Sequence, residues 1–235
     1  MATTERVIAE DAIRVLDHGF VRLDDAMASD LSVVNAARVS FARRKETMDE
    51  SDEGLIRFLM RDRHGTPFEH NAFRFHVRTP IFVAREWFRH RVGSFNEFSM
   101  RYAKATDDFY VPDPEDVRSQ VGKPGAYSFE PVDNDLAERT RDELREVYEV
   151  AFATYERLVE AGVARELARA VMPVGAYTEF FWTVNARALM NFVSLRAAET
   201  AQREIRRYAE AVEQFFAQQM PVTHAAFVAA GRVAP

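Results

Sequence analysis

Residues 89–102 read Arg-His-Arg-Val-Gly-Ser-Phe-Asn-Glu-Phe-Ser-Met-Arg-Tyr, with three guanidinium groups, an imidazole, a carboxylate, an amide and two serine hydroxyls in fourteen residues. Arginine offers a planar, permanently charged fork that pairs bidentately with phosphate or carboxylate, so this stretch predicts an anion-binding site. The preceding residues, 80–88, are apolar at helical spacing, which predicts a core-facing helix that ends at the polar cluster. On a continued helix, Arg89 and Arg91 would point about 200° apart, so we expect them to serve two ligands.

The composition is that of a globular protein. The chain has 235 residues and 47% hydrophobic side chains, so we expect residues 1–235 to form a single domain. The formal net charge of −6 disfavours a nonspecific nucleic-acid binder. The sequence has no cysteine, which excludes a disulfide framework and a catalytic thiol. Because the first 13 residues lack a signal-peptide pattern and no apolar run of membrane-spanning length occurs, we expect a soluble, cytoplasmic protein without membrane contact.

Local patterns predict an α+β fold. Apolar residues at 73, 75 and 77 alternate with polar ones, which is typical of a half-buried strand. The other expected elements are a strand and turn at 14–24, helices at 30–39, 52–62 and 134–161, a short helix up to Met172, a strand at 177–184 and one long helix at 185–219. Gly162 is expected to end the helix at 134–161. Six prolines and glycines in residues 107–135 indicate a surface excursion within the domain. Neither a G-x-G-x-x-G motif nor a P-loop occurs, so a dinucleotide must bind outside a Rossmann frame.

Some polar groups have ordinary structural interpretations. Histidines recur every six residues from His64 to His76, but this spacing fits no established metal-ligand pattern, and we predict no metal site. Residues 165–169 have the charge spacing of a solvated, salt-bridged helix face. Asn185 has the side chain of a helix N-cap. Each of these interpretations competes with a role in binding.

Residues 89–101 resemble the signature Arg-His-Arg-x-x-Ser-x-Asn-Glu-x-Ser-x-Arg of the flavin-dependent thymidylate synthase (ThyX) family, and all eight fixed positions match. The resemblance extends through residues 64–70, 180–187, 189–192 and 195–197, and spans roughly residues 14–230. It implies a twisted antiparallel sheet with flanking helices that binds FAD outside a Rossmann frame. It also implies a homotetramer with its sites at subunit interfaces.

The family's reaction is the reductive methylation of dUMP to dTMP, with 5,10-methylenetetrahydrofolate as carbon donor and NADPH-reduced FAD as hydride source. The resemblance places Arg196 beside the pyrimidine, where it would stabilise the ionised N3–O2 edge and activate C5. The nucleotide contacts that it implies are Glu86, Arg89, Glu97, Ser99, the backbone of Met100, Arg101, Arg169 and Arg196. The flavin contacts that it implies are Ser40, His64, Thr66, Arg89, His90, Arg91, Glu97, Asn185, Arg187 and Asn191.

Two residues depart from the family pattern. Glu86 stands where better-known members often carry Gln, and it would either turn towards Arg89 or accept a proton from uracil or ribose. Thr200 stands where some relatives carry His near the flavin. Two other functions remain open: a noncatalytic nucleotide- or RNA-binding oligomer, and a structural helical oligomer whose arginines pair with its own acidic residues. Neither accounts for the spacing of the signature.

Overall fold

The computed structural model describes residues 10–123 and 126–235. A five-stranded sheet has the strand order β1-β2-β3-β7-β4, and β5 and β6 form a separate two-stranded hairpin. The strands are β1 Ala12–Val15, β2 Gly19–Met27, β3 Ala72–Pro80, β4 Ser94–Glu97, β5 Arg118–Lys123, β6 Ala126–Pro131 and β7 Tyr177–Val184. The helices are α1 Asp30–Arg38, α2 Glu50–Arg61, α3 Ile81–Trp87, α4 Asn134–Glu160, α5 Arg165–Ala168, α6 Ala186–Arg196, α7 Arg203–Gln219 and α8 Pro221–Ala229. All strand pairs in the described residues are antiparallel, which confirms the α+β, non-Rossmann prediction.

The central strand β3 follows the predicted alternation. Phe73, Phe75 and Val77 are fully buried and face the helices, whereas Arg74 lies exposed on the other side of the sheet. Arg78 is the exception, because it is buried and pairs with Asp108. The core therefore lies between one face of the sheet and the helices, where burial of large aromatic side chains provides most of the stabilisation.

The aromatic core fixes α3 and α6 relative to the sheet. The Trp87 ring of α3 stacks on Phe192 of α6 at 4.7 Å between centroids. Both rings also contact Trp182 of β7, at 5.3 Å and 5.0 Å respectively. Since α3 and α6 end at the residues that carry the candidate site, this packing determines where those residues lie.

Helix ends follow local sequence signals. Ser29 caps α1, Asp49 and Asp52 form a capping box at α2, and Gly162 has a positive φ of 87° just after α4, as predicted for the end of that helix. The first nine residues, which include most of the segment considered for a signal peptide, lie outside the described residues. No helix in the described parts of the chain has both the length and the apolar character needed to cross a membrane.

The prediction of one long helix at 185–219 was wrong. The chain forms α6 and α7 with a break at residues 197–202, and α8 follows. The break contains neither proline nor glycine, so local sequence does not signal it. Tertiary contacts fix the start of α7 instead: Asp116 pairs with Arg203 at 2.6 Å and with Arg207 at 2.9 Å.

Ion pairs attach the surface excursion to α7. It contains the β5–β6 hairpin and no long helix, as expected for its described part; Pro124 and Gly125 lie outside the described residues. The Asp116 side chain is only 3% exposed, although it belongs to the excursion. Its two ion pairs therefore join the excursion to α7, directly after the segment that follows Arg196.

Candidate active site

The signature comprises the turn after α3, the edge strand β4 and the residues that follow it up to Arg101. Helix α3 ends at Trp87, before the polar cluster, as predicted. Neither Arg89 nor Arg91 is helical, so the predicted 200° separation does not apply to them. Gly93 is required in this turn, because a Cβ there would lie 2.9 Å from the Thr183 carbonyl oxygen. Sequence patterns missed β4, since its four residues are too few to show an alternation.

Arg196 lies at the C-terminal end of α6 and is held by three contacts. Its Nε donates to Nε2 of His90 at 3.0 Å. Its Nη1 donates to Oε2 of Glu86 at 3.0 Å, and its Nη2 donates to the Glu86 carbonyl oxygen at 3.3 Å. The predicted alternatives for Glu86, a turn towards Arg89 or a contact with the nucleotide, did not include this partner.

These contacts define what Arg196 can still bind. A guanidinium has five N–H donors, and His90 and Glu86 accept three of them. Two N–H groups remain, one on each terminal nitrogen. They suit a ligand with two neighbouring acceptors, such as the O2 and deprotonated N3 of a uracil ring.

Burial and charge set the protonation states around Arg196. Burial, with a smaller contribution from Arg196, lowers the pKa of His90 from 6.5 to about 4. His90 is therefore neutral at neutral pH, and its Nε2 is free to accept. Burial raises the pKa of Glu86, while the charge of Arg196 acts in the opposite direction.

A second group of polar residues lies after β4. Thr178 donates to Glu97 Oε1 at 2.8 Å, and the Ser99 hydroxyl accepts from the backbone N–H of Arg101 at 3.3 Å. Met100 packs its side chain into the small apolar cluster around Tyr155. This packing agrees with the expectation that residue 100 offers its backbone, not its side chain, to a ligand.

The 165–169 segment joins this second group. Glu166 pairs with Arg101 at 3.4 Å and also accepts from Arg169 through its carbonyl oxygen at 3.3 Å. Arg165 donates to the Tyr102 carbonyl oxygen at 2.8 Å. The charge spacing predicted a salt-bridged face within 165–169, but Glu166 pairs with Arg101 of another segment. These contacts place Arg101 and Arg169 near each other within one chain.

A cleft of about 380 Å³ lies on the other side of the signature turn. Its lining consists of Met27, Glu69, His70, Asn71, Ala72, Val92, Gly93, Thr183, Val184 and Asn185. Of the predicted flavin contacts, only Asn185 is among these residues. Sequence analysis did not assign His70, Asn71 or Gly93, although Gly93 lies inside the signature.

Two predicted flavin residues have structural partners near this cleft. Asn185 caps α6, because its Oδ1 accepts from the Ala188 backbone N–H at 2.8 Å. Arg187 donates to Glu69 at 2.6 Å, and a Cβ at Gly65 would lie 2.5 Å from the Arg187 side chain. Gly65 thus allows α6 to approach the segment that carries His64 and Thr66.

The predicted flavin contacts outside the signature and this cleft are exposed. His64 packs edge-on against Phe58, and Ser40 lies in a single 3-10 turn, Val39–Phe41, after α1. Thr66 and Asn191 are exposed and do not line the cleft. The structure therefore gathers Asn185 and Arg187 near the signature and leaves Ser40, His64, Thr66 and Asn191 on adjoining surfaces.

The donor set fits a flavin dinucleotide. No hydrogen bond or ion pair joins the exposed guanidinium of Arg89 or Arg91 to another side chain in the described parts of the chain. Guanidinium forks suit a pyrophosphate, and an open cleft bordered by two amides, other polar groups and several apolar side chains suits a flat ring. The sequence has no glycine-rich loop of the Rossmann type, and the helix N-terminus that borders the cleft is that of α6, capped by Asn185.

In the described part of the chain, the antiparallel α+β fold presents two arginines without a side-chain partner and one fixed guanidinium, which suits a nucleotide-binding protein outside the Rossmann class. The family model described as thymidylate synthase complementing protein matches residues 22–222. This chain belongs to that family. The resemblance that the signature indicated is thereby confirmed.

The chain is similar to related proteins over most of its own length and of theirs. The chain is 47% identical over 215 residues to the flavin-dependent thymidylate synthase of Thermosipho africanus, covering 92% of this chain and 93% of that protein. It is 46% identical over 229 residues to the protein of that name from Streptomyces coelicolor, with 92% and 93% covered. A solved structure described as a UMP/dUMP methylase, PolB from Streptomyces cacaoi bound with 5-Br UMP, is 48% identical, with a TM-score of 0.87 and 94% and 97% of the two chains covered.

Proposed function

We propose that this protein is a flavin-dependent thymidylate synthase that converts dUMP to dTMP, with 5,10-methylenetetrahydrofolate as carbon donor and NADPH as reductant. The observation that carries the proposal is Arg196, fixed by Glu86 and His90 with two N–H donors left over. The family relationship supports it. The absence of cysteine agrees with it, since the chain cannot supply a thiolate nucleophile.

The chain's own residues bind and orient in this reaction. Bound FAD would supply the hydride chemistry. Arg196 donates its two remaining N–H groups to the O2 and N3 edge of uracil, where electron density rises as C5 becomes nucleophilic. Arg89 and Arg91 offer unpaired charge to phosphate groups, and Arg101 with Arg169 offers a second cationic group for the nucleotide phosphate.

The sugar of the substrate is a separate question. Solved relatives described as UMP/dUMP methylases hold 5-Br UMP in one case and 5-Br dUMP in another. UMP is therefore the second candidate substrate for this chain. Both nucleotides present the same uracil edge to Arg196 and differ only in the 2′-hydroxyl.

Assembly into a homotetramer with sites at subunit interfaces is part of the proposal. Exposed apolar side chains at the cleft support it, because Met27 is 70% exposed and Val92 is 68% exposed. Light scattering of the purified protein tests it: four chains per particle agrees, and a monomer contradicts. We also propose that the protein is located in the cytoplasm.

The experiment for the function itself uses purified protein, FAD, NADPH and methylenetetrahydrofolate with either dUMP or UMP, under anaerobic conditions. FAD-dependent dTMP is the expected product, and omission of FAD is the control. If 5-methyl-UMP is the only product, the substrate is UMP and not dUMP. If neither product forms and the protein instead binds oligonucleotide with steep salt dependence, the noncatalytic RNA-binding alternative is correct.

A further inference from the structure

Glu86 makes two contacts with Arg196 from one residue. The carboxylate and the backbone carbonyl oxygen accept from different terminal nitrogens, at 3.0 Å and 3.3 Å. The two side chains are 27% and 21% exposed, so solvent competes only partly for this pair. Because one residue binds both terminal nitrogens, it fixes the rotation of the guanidinium as well as its position.

We propose that Glu86 is the positioning residue for Arg196 and acts on the reaction through that guanidinium rather than by touching the nucleotide. The inference rests on the proposed function. A free arginine side chain loses rotamer entropy when it is fixed. Glu86 and His90 fix it within the fold, before a nucleotide binds, so the two remaining N–H groups are already directed towards the ligand.

The charges around Glu86 separate this role from direct binding. Arg196 faces it from α6, Arg89 from the turn after α3, and Glu204 from α7. The carboxylate neutralises Arg196, so the pair adds direction but little net charge to the site. Arg89 and Arg91 supply the charge that attracts an anionic nucleotide. Loss of the Glu86 carboxylate should therefore lower kcat without raising the KM for dUMP, because it leaves more positive charge beside the nucleotide.

Conservative and disruptive variants distinguish the roles. Glu86→Gln keeps an acceptor for Nη1 of Arg196 and should retain at least about a third of kcat, because the hydrogen bond sets the orientation of the guanidinium. Glu86→Ala removes the acceptor and should lower kcat roughly 10- to 100-fold, without a rise in KM. Glu86→Met fills the same volume without an acceptor and should behave like Glu86→Ala. Arg85→Ala, on the exposed side of α3, is the matched control and should be unchanged.

A double-variant cycle tests whether Glu86 acts through Arg196. Lysine in Arg196→Lys keeps the charge but has no second terminal nitrogen to fix. Glu86→Ala should therefore lower kcat much less in the Arg196→Lys background than in the wild type. Bound-flavin absorbance and the melting temperature are recorded for each variant, and Glu86→Met replaces Glu86→Ala if the latter does not fold.

The outcomes separate the two proposals. A fall in kcat without a rise in KM, rescue by Glu86→Gln and a reduced effect in the Arg196→Lys background support the positioning role. A raised KM at constant kcat, or an equal effect in both backgrounds, overturns it, since Glu86 then contacts the nucleotide or acts independently of Arg196. If the wild type is active and Glu86→Met matches it, only the positioning role fails. If the wild type forms no methylated nucleotide, the proposed function fails as well.

Discussion

Acid should destabilise this protein through His90. Burial and the Arg196 guanidinium lower its pKa from 6.5 to about 4 in the folded state. The folded protein resists protonation of His90, so neutral His90 contributes to the free energy of unfolding. This contribution is complete above about pH 6.5 and is lost as the pH falls towards about 4. At pH 5 the full shift corresponds to about 2 kcal/mol. Since His90 is only partly buried, solvent screening reduces this, and we expect roughly 1 kcal/mol.

Urea unfolding at pH 7 and pH 5 measures this effect. His90→Gln keeps an acceptor for Arg196 but does not titrate, so the wild type should lose roughly 1 kcal/mol more than this variant between the two pH values. His18→Gln, in the exposed turn between β1 and β2, is the matched control and should keep the pH dependence of the wild type. Equal pH dependence in the wild type and His90→Gln would refute the reasoning.

Three further substitutions test the packing around the site. Asp116→Asn should lower the free energy of unfolding, measured in urea, by about 1–3 kcal/mol, because two arginines lose a buried charged partner. The control is Asp113→Asn at an exposed position, whose free energy of unfolding should stay within about 0.5 kcal/mol of the wild type. Gly93→Ala should abolish flavin binding, followed by absorbance, since its Cβ would lie 2.9 Å from a backbone oxygen of β7; a variant that binds FAD normally would show that the turn can shift. Tyr155→Phe leaves the Ala105 N–H without its 3.1 Å acceptor and should cost about 1–2 kcal/mol in thermal unfolding, whereas an unchanged melting temperature would contradict the role of that bond.

Much of the fold is local in origin and could be predicted from the sequence. The alternation in β3, the aromatic run of β7 and the glycine after α4 each depend on neighbouring residues, and each was confirmed. The break between α6 and α7 depends on Asp116, which is 87 to 91 residues earlier in the chain than its partners Arg203 and Arg207. No local pattern carries that information.

The candidate site divides in the same way. The signature located the turn and its arginines, because their spacing lies within one short segment. The partners of Arg196 are 106 and 110 residues away, so only the packing of α3 against α6 brings them together. The pair between Glu69 and Arg187 is likewise a product of the fold, since the two residues are 118 positions apart in the sequence. The assignments to FAD and nucleotide stay predictions until a ligand is bound.

Arg196 should activate the uracil ring of the nucleotide and should not be needed to hold the flavin. The most direct measurement compares dTMP formation by the wild type and Arg196→Ala while the absorbance of bound FAD is recorded for both. Both proteins should be yellow, and only the wild type should form dTMP. Normal turnover by Arg196→Ala with FAD bound would contradict it.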